Sequence, residues 1–338
     1  MKFKPSKLYK WEFWPFWFFY IPVYFRYIWY SIKLKAPFFF SAANPSMELG
    51  GFAAYSKWDI LKEVNEEYLP KMMVLSEPYN RKLIEDFLVE QQLNYPIIVK
   101  PDKGERGFGV EKINSEVELT TYLSRAKNRL IVQEYIDYPI ELGIMYHRLP
   151  NQDRGVISSV VQKDFLSIVG DGVSTLKVLF ENGERTRWHL DMLFELCKTE
   201  LETVLEKDEY KMLVPIGNHV RGATFLNANH IINPKLHEMM DKIAIPIKGY
   251  YFGRFDLRVS SIENLYEGKN IKIMELNGAN SEPAHIYDPN MKLSAAYKHL
   301  FEHWKALYEI SKMNHQMGVP YAPFWVSYRK LRHYFKTR

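Results

Sequence analysis

The stretch Pro96-Ile-Ile-Val-Lys100 and the loop after it, Pro101-Asp-Lys-Gly-Glu-Arg-Gly-Phe-Gly109, decide the fold of this 338-residue chain. The first five residues are a short apolar run that ends in a lysine, which predicts a buried strand. The loop holds three glycines and an arginine: Gly104, Gly107, Gly109 and Arg106. Glycine lets backbone N–H groups approach phosphate oxygens, and a cation offsets their charge. Taken alone, a glycine-rich hairpin tip is the simpler interpretation.

Two predicted strands further along the chain carry acidic and amide side chains. Asp256, Glu275 and Asn277 are hard oxygen donors, which together with nucleotide phosphates suit Mg²⁺ or Mn²⁺. Glu275 and Asn277 are two residues apart and therefore share one face of a strand. Arg254 shares the face of Asp256 and is suited to hold a transferring phosphoryl oxygen. Each residue alone fits a solvated strand end, but together with the glycine loop they predict a nucleotide and metal site.

The remaining pattern is that of an α+β protein with mixed sheets and no run of regular βαβ units. Helices are predicted at roughly residues 56–68, 79–93, 115–127, 174–207, 234–247 and 291–313. Strands are predicted at roughly residues 96–100, 110–113, 130–136, 141–148, 156–165, 223–226, 252–260 and 271–276. Because the glycine loop leads into a strand and not into a helix, it is neither a Walker loop nor a dinucleotide fingerprint.

In this order, the motifs resemble those of ATP-grasp enzymes over roughly residues 56–290. They are Val99-Lys100 with its glycine loop, Val132-Gln-Glu-Tyr-Ile136, Arg254-x-Asp256 and Glu275-x-Asn277. The chain is similar in particular to bacterial proteins described as D-alanine–D-alanine ligase-like or as carboxylate–amine ligases. The resemblance implies two α+β subdomains that clasp ATP, here with an aromatic-rich helical N-terminal extension. The predicted domains are residues 1–50, an aromatic and basic segment; 51–130 and 131–315, the two subdomains; and 316–338, a basic aromatic tail.

The resemblance also implies roles for individual residues. Lys100 would contact the α- and β-phosphates, and the loop with Gly104, Arg106, Gly107 and Gly109 would close over the triphosphate. Lys57 is similar to an early nucleotide-binding lysine, and Lys163 to a phosphate-facing one. The backbone of a hinge would hold adenine, and an acidic residue would bind ribose: Gln133, Glu134, Tyr135 and Ile136 for the hinge, and Glu141 for ribose.

The part of the chain expected to bind the acceptor departs from the D-alanine–D-alanine ligase pattern. The spacing from Asn277 to His285 is kept, but Glu282 and its neighbours replace a loop of small residues. This argues against D-alanine as the substrate. Arg221, Glu282 and His285 are the candidates for substrate recognition, with local surface hydrogen bonding as the alternative.

The implied activity is that of an ATP-dependent carboxylate–amine ligase, which forms an amide through an acyl phosphate. The expected partners are ATP, Mg²⁺ or Mn²⁺, a small-molecule or lipid-linked carboxylate, and an amine. One alternative is a kinase on the same scaffold that phosphorylates a hydroxyl or a carboxylate. The other is a non-catalytic ATP-binding protein docked at a membrane surface.

The two ends of the chain differ from its middle in composition. Residues 1–40 hold 18 of the 52 aromatic residues and 7 Lys+Arg against 1 acid, and residues 321–338 hold 5 Lys+Arg and no acid. The net charge of +5 therefore leaves the middle of the chain acidic, at 5 − 6 − 5 = −6, which argues against a nucleic-acid partner. The composition of the ends suits the headgroup layer on the inner face of a membrane. The alternative is an aromatic cover packed on the body of a cytoplasmic protein.

Two further features concern the membrane and the redox compartment. The longest uncharged run near the N-terminus, Phe13 to Phe25, is short for a membrane span and contains two prolines. Neither a simple spanning helix nor a cleaved signal peptide is therefore predicted. The single cysteine, Cys197, excludes an internal disulfide, and its apolar helical surroundings predict a buried structural thiol in a reducing compartment.

Overall fold

The computed structural model describes residues 11, 14–104, 107–214, 217 and 222–336. The chain forms two units. The first comprises residues up to Val161 and from Asn227 onward, and the second comprises Gln162–Leu226. The strand pairs with a defined register are all antiparallel, so the predicted α+β class is confirmed. The domain boundaries at 50/51, 130/131 and 315/316 stay a prediction.

The helices of the described chain follow in sequence order. They are α1 Phe16–Phe19, α2 Ile21–Leu34, α3 Lys57–Leu61, α4 Arg81–Glu90, α5 Glu116–Arg125, α6 Leu176–Asn182, α7 Leu190–Leu196, α8 Pro234–Ala244, α9 Ile262–Glu267, α10 Leu293–Gln316 and α11 Phe324–Lys336. Six of them begin after a residue whose side chain accepts a hydrogen bond from a first-turn N–H: Ser56, Asn80, Ser115, Thr175, Asn233 and Ser261. These caps satisfy donors that have no partner inside the helix.

The strands form three sheets. They are β1 Met72–Leu75, β2 Ile97–Pro101, β3 Glu111–Ile113, β4 Leu130–Glu134, β5 Ile140–His147, β6 Val156–Asp164, β7 Leu166–Val169, β8 Tyr210–Val214, β9 Thr224–Asn227, β10 Phe252–Val259 and β11 Ile271–Asn277. The sheet orders are β1-β4-β2-β3, β11-β10-β5-β6-β9 and β7-β8. The sequence analysis missed β1, β7 and β8, and its helix over residues 56–68 is only α3 followed by a 3₁₀ turn at Glu66–Tyr68.

In the first unit, the four-stranded sheet has its own apolar core. Ile97 and Val99 of β2 pack with residues of α4 and α5, among them Ile84 and Leu119. A separate, larger core lies on one face of β5, β10 and β11 and is covered by α8 and α9. Since alternate side chains of a strand point to opposite faces, the other face of β10 and β11 is left to polar residues.

The second unit is a small α+β body built around the β7-β8 pair, α6 and α7. Its core includes Leu176, Phe180, Leu193 and Cys197. The cysteine is buried, and burial raises the pKa of its thiol. The predicted burial of Cys197 in an apolar core is therefore confirmed. A raised pKa leaves less of the thiol in its reactive thiolate form.

Both aromatic ends belong to the first unit and pack against α10. The ring of Tyr30 on α2 stacks on that of Tyr308 at 4.2 Å, and Phe38 lies 5.7 Å from Phe324 of α11. Pro22 does not break α2, because it lies in the first turn, where a helix needs no N–H. No helix among the described residues is long and apolar enough to cross a membrane.

Candidate nucleotide and metal site

The polar face of β10 and β11 brings four predicted site residues together. Arg254 lies opposite Asn277, and Asp256 lies opposite Glu275. A β-bulge follows, because the next pair is Leu257 with Ile273, which leaves one extra residue on β11. The bulge shifts the alternation of side chains along β11. The apolar residues before and after it therefore both face the core, and the four polar residues lie together on the other side of the sheet.

The three predicted metal ligands have protein partners in this arrangement. Asp256 accepts two hydrogen bonds from Arg254, from Nε at 2.7 Å and from Nη2 at 3.0 Å. Its Oδ2 also accepts from Nδ2 of Asn277 at 3.1 Å. Oδ1 of Asn277 accepts from the hydroxyl of Tyr55 at 2.9 Å. This bidentate, buried geometry fixes the orientation of both charged groups.

The surroundings keep the guanidinium of Arg254 charged. Burial acts to lower its pKa, but the Asp256 carboxylate, through its charge and its hydrogen bonds, raises the pKa by more. Arg254 therefore remains a cation at any pH at which the protein is folded.

Two lysines from other elements converge on Glu275 and the bulge. Nζ of Lys57 lies 3.6 Å from Oε1 of Glu275 and also donates to the carbonyl of Gly104. Nζ of Lys100 donates to the carbonyl of Met274, the bulge residue, at 2.9 Å. Burial, more than any charge, lowers the pKa of Lys100 to about 8, while Glu275 acts to raise it and Lys57 to lower it.

The charged side chains of this group have both signs. Lys57, Lys100 and Arg254 are cations, and Asp256 and Glu275 are anions. The carboxylate of Asp102, whose charge also acts on Lys100, adds a third anion. The cations suit the phosphate oxygens of an anion, and the carboxylates suit a metal cation that accompanies it. The donor types, two carboxylates and one amide oxygen, fit Mg²⁺, which takes few protein ligands.

A buried aspartate holds Lys57 in place. Oδ1 of Asp102 accepts from Oγ of Ser56 at 2.9 Å and from the N–H of Trp58 at 2.8 Å, and its carbonyl accepts from the N–H of Lys57 at 3.2 Å. The sequence analysis missed Asp102 and Tyr55. The only signal for Asp102 was its position in the Lys100-Pro-Asp stretch, and Tyr55 had only its proximity to Lys57.

The glycine loop is anchored at its end. Gly107 and Gly109 have φ of 70° and 69°, and a Cβ on Gly109 would lie 2.8 Å from Cγ of Pro101. The hydroxyl of Tyr122 donates to the carbonyl of Gly109 at 2.7 Å. A Cβ on Gly104 would make only ordinary contacts, 3.8 Å from Cβ of Pro101 and 3.9 Å from the carbonyl oxygen of Phe108, so its surroundings do not require a glycine. Arg106 lies outside the described residues.

One arginine forms hydrogen bonds to both the predicted adenine hinge and the predicted ribose-binding carboxylate. Arg258 donates to the carbonyl of Ile136 at 2.6 Å and to Oε2 of Glu141 at 3.1 Å, and both charged side chains are buried. Nζ of Lys112 lies 4.1 Å above the ring of Tyr135, while Gln133 is buried. Oε2 of Glu134 accepts from a backbone N–H of Lys71 at 2.9 Å. A ribose at Glu141 would have to share this carboxylate with Arg258.

The predicted acceptor residues Glu282 and His285 lie beside Arg254. Nη1 of Arg254 is 3.5 Å from the carbonyl of Glu282, and Oε2 of Glu282 accepts from the hydroxyl of Tyr287 at 3.0 Å. Oε1 of Glu282 is covered and has no hydrogen-bond partner among the residues that the structure describes. Burial raises the pKa of Glu282 to about 7, against a smaller lowering by Tyr287.

His285 is fully buried, so the alternative of surface hydrogen bonding does not apply to it. Its Nδ1 shares a hydrogen bond of 2.6 Å with Oγ of Ser159, whereas its Nε2 is buried without a partner. Burial first, and the nearby His299 second, lower the pKa of His285 to about 4. The imidazole is therefore neutral at physiological pH.

Two predicted residues are not part of this group in the first unit. Lys163 lies on β6 within the second unit and is buried. Arg221 lies outside the described residues. Among the described residues there is no cluster of three or more His, Cys, Asp or Glu side chains that could hold a metal ion. A metal site here would therefore need the amide of Asn277 in addition to the two carboxylates.

Comparison with known proteins finds a family model that matches part of the chain and several similar solved structures. The model of the tubulin-tyrosine ligase family matches residues 52–143, which include Lys57, Lys100, the glycine loop and Glu141. The match to this ATP-grasp-like family confirms the predicted resemblance to ATP-grasp proteins. No curated protein sequence matches the chain.

Solved structures with a similar chain trace include ligases from three bacteria. D-alanine–D-alanine ligase from Bacillus anthracis is 14% identical, with 78% of this chain and 69% of that chain covered and a TM-score of 0.46. A bifunctional glutathione synthetase from Pasteurella multocida is 16% identical, with 77% and 38% covered and a TM-score of 0.38. D-alanine–D-alanine ligase from Helicobacter pylori is 13% identical, with 75% and 61% covered and a TM-score of 0.38. The chain thus spans less than two thirds of the length of the last two proteins.

Proposed function

We propose that this protein is an ATP-dependent carboxylate–amine ligase with an acyl-phosphate intermediate. The observation that carries the proposal is the convergence of Lys57, Lys100 and Arg254 on the paired carboxylates Asp256 and Glu275. A phosphoryl-transfer site needs cations for the phosphates beside hard oxygen donors for a metal ion.

In this proposal the nucleotide is held from three sides. Lys100 and Lys57 bind phosphate oxygens, and the backbone N–H groups of the loop at Gly107 and Gly109 cover them. The backbone of the Glu134–Ile136 hinge binds adenine. Asp256, Glu275 and Asn277 would hold Mg²⁺ or Mn²⁺, which supplies charge neutralisation between the β- and γ-phosphates when bound.

The first step is the activation of the carboxylate. An oxygen of the substrate carboxylate attacks the γ-phosphorus, the bond to the β–γ bridging oxygen breaks, and ADP leaves with that electron pair. Arg254 stabilises the negative charge on the transferred group, because its guanidinium is already oriented by Asp256.

The second step forms the amide. The amine nitrogen attacks the acyl carbon, phosphate leaves, and the nitrogen loses a proton. Glu282 is suited to accept that proton, since its Oε1 has no hydrogen-bond partner among the described residues and its pKa of about 7 is close to physiological pH. His285 and Arg221 remain the proposed contacts to the substrates.

The test is ADP release by the full-length protein with MgATP, carboxylates that include lipid-linked acids, and amines. A ligase releases ADP only when both the carboxylate and the amine are present. With hydroxylamine in place of the amine, the acyl phosphate yields a hydroxamate. A kinase accumulates a phosphorylated product without any amine, and if that product is stable to hydroxylamine the ligase proposal fails. Arg254→Lys is the variant to compare with the wild type. It keeps the positive charge but loses the two parallel N–H donors of the guanidinium group.

A further inference from the structure

The outer face of α2 is apolar although it is exposed. Positions 21, 24, 25, 28, 29 and 32 lie on one side of the helix by their spacing, and they are Ile21, Tyr24, Phe25, Ile28, Trp29 and Ile32. The opposite side already packs on the body of the first unit through Val23 and Tyr30. A helix with both sides apolar is usually buried all round. Here Phe25 remains 71% exposed and Trp29 54% exposed.

The apolar surface continues beyond α2. Trp17 on α1 is exposed one turn before Ile21, and Trp325 and Tyr328 are exposed on α11. α11 lies against the chain that follows α2, since the ring of Phe324 is 5.7 Å from that of Phe38. Contiguous apolar surface of this kind marks an interaction site in a folded protein.

The two chain segments that carry this surface contain basic residues and no acidic ones. Residues 13–47 contain no acidic residue and carry Arg26, Lys33 and Lys35, and residues 310–338 contain no acidic residue either. Nζ of Lys33 lies 5.0 Å from the ring of Trp29 at the end of the outer face. Aromatic rings with adjacent lysines suit the headgroup layer of a bilayer that carries negative charge.

A groove between α2 and α10 adds a site for one anion. Its volume is 390 Å³, and it is lined by the cations Arg26, Lys298 and Lys305, the rings of Tyr297 and Phe301, and the carboxylate of Glu302. The guanidinium of Arg26 lies 4.7 Å from the ring of Phe301, while Glu302 faces His299 at 3.7 Å. Three cations against one carboxylate, with aromatic walls, fit a phosphate group attached to an apolar chain.

We propose that the outer face of α2 docks in the headgroup layer of an anionic phospholipid membrane, with a lipid phosphate in the groove at Arg26, Lys298 and Lys305. A second copy of the chain is a poorer occupant, because it would bring two surfaces of like charge together. The cytoplasmic leaflet is the negatively charged one, which agrees with docking on the inner face of the membrane. The inference does not depend on the proposed ligase activity.

The test is co-sedimentation of the full-length protein, without nucleotide, with phosphatidylcholine vesicles and with vesicles that also contain phosphatidylglycerol. We expect binding to the anionic vesicles, and a loss of about tenfold or more when Phe25→Gln and Trp29→Gln are combined. The matched control combines Val89→Gln and Val117→Gln, which change residues exposed by 80% and 76% on α4 and α5. Inorganic phosphate at the same concentration as the lipid phosphate should not compete.

Charge variants test the groove separately from the apolar face. Lys298→Gln with Lys305→Gln should weaken binding to anionic vesicles by about fivefold or more, given the contribution of each basic residue near an anionic surface. Equal binding to neutral and anionic vesicles, or no effect of the Phe25 and Trp29 changes, would overturn the proposal. A dimer that these changes dissociate, without vesicle binding, would show that a second copy is the occupant. Circular dichroism and melting curves establish that each variant is folded.

Discussion

The charged group on β10 and β11 and the acceptor end at Glu282 and His285 differ in how their polar atoms are satisfied. Asp256 is hydrogen-bonded by Arg254 and Asn277, so its charge is compensated within the protein. Glu282 Oε1 and His285 Nε2 are covered and have no hydrogen-bond partner in the described part of the chain. A covered polar atom without a partner costs free energy, whereas a paired one costs much less. The charged group is therefore preformed, whereas the acceptor end keeps covered polar atoms that a substrate would contact under the proposed function.

The largest expected effect on stability comes from a substitution in the preformed charged group. Arg254→Gln removes one partner of a buried ion pair and should lower the free energy of unfolding by about 3–5 kcal/mol. The measurement is urea unfolding, with Lys269→Gln as the control, since Lys269 and Glu267 form an exposed pair. The control should change stability by less than about 1 kcal/mol. A loss from Arg254→Gln no larger than that of the control would contradict the contrast between the two regions.

At the acceptor end, we expect the substitution of a charged residue to raise the free energy of unfolding and not to lower it. The pKa of Glu282 is raised from its usual 4.5 to about 7, so the folded state binds more protons than the unfolded state between these pH values. Stability from this group is present below pH 4.5 and is lost as pH rises through 7. Glu282→Gln should therefore stabilise the protein at pH 8 by up to about 3 kcal/mol and change little at pH 4.5.

Thermal unfolding at the two pH values measures the effect of Glu282→Gln. Asp256→Asn serves as the comparison, because loss of a paired charge should destabilise the protein at pH 8. If both variants changed stability in the same direction at pH 8, the distinction between the preformed group and the acceptor end would be lost.

The site was predictable from the sequence where local periodicity determines it. The two-residue spacing of Glu275 and Asn277, and that of Arg254 and Asp256, placed all four on one face, and the register of β10 and β11 brings them together. Cys197 was likewise placed by its apolar helical neighbours.

Contacts between distant segments could not be predicted in this way. The bond between Ser56 and Asp102 joins residues 46 apart, and that between Arg258 and Glu141 joins residues 117 apart. β1 has only four residues, and its place in the sheet depends on pairing with β4, so its own sequence carries little signal. Tyr55 and the pairing of Glu141 were missed for the same reason.

A smaller effect tests the hydrogen bond of His285. Ser159→Ala leaves the buried Nδ1 of His285 without its partner and should cost about 1–2 kcal/mol of stability. Ser124→Ala is the control, because this hydroxyl bonds an exposed carbonyl within α5. Urea unfolding should give a lower free energy of unfolding for Ser159→Ala than for Ser124→Ala. Equal values would show that the stability does not depend on the hydrogen bond between Ser159 and His285.

The smallest expected effect concerns the protonation of Lys100. Its pKa is lowered to about 8 by burial, so the fraction that is charged falls as pH rises through that value. If only the charged form binds phosphate, ATP affinity should weaken by about tenfold between pH 7 and pH 9. Titration of ATP binding across this range checks it, and Lys100→Met should abolish the pH dependence. The same profile in Lys100→Met and the wild type would exclude Lys100 from phosphate binding.

The most direct test of the central claim is the Mg²⁺ dependence of ATP binding in Glu275→Gln, measured by calorimetry with and without Mg²⁺. Glu267→Gln is the control, because Glu267 is exposed and paired only with Lys269 in a local contact. We predict that Glu275→Gln weakens Mg²⁺-dependent binding by about 10–100-fold, while binding without Mg²⁺ and the control remain as in the wild type. Unchanged Mg²⁺-dependent binding in Glu275→Gln would contradict a metal and nucleotide site on this sheet face.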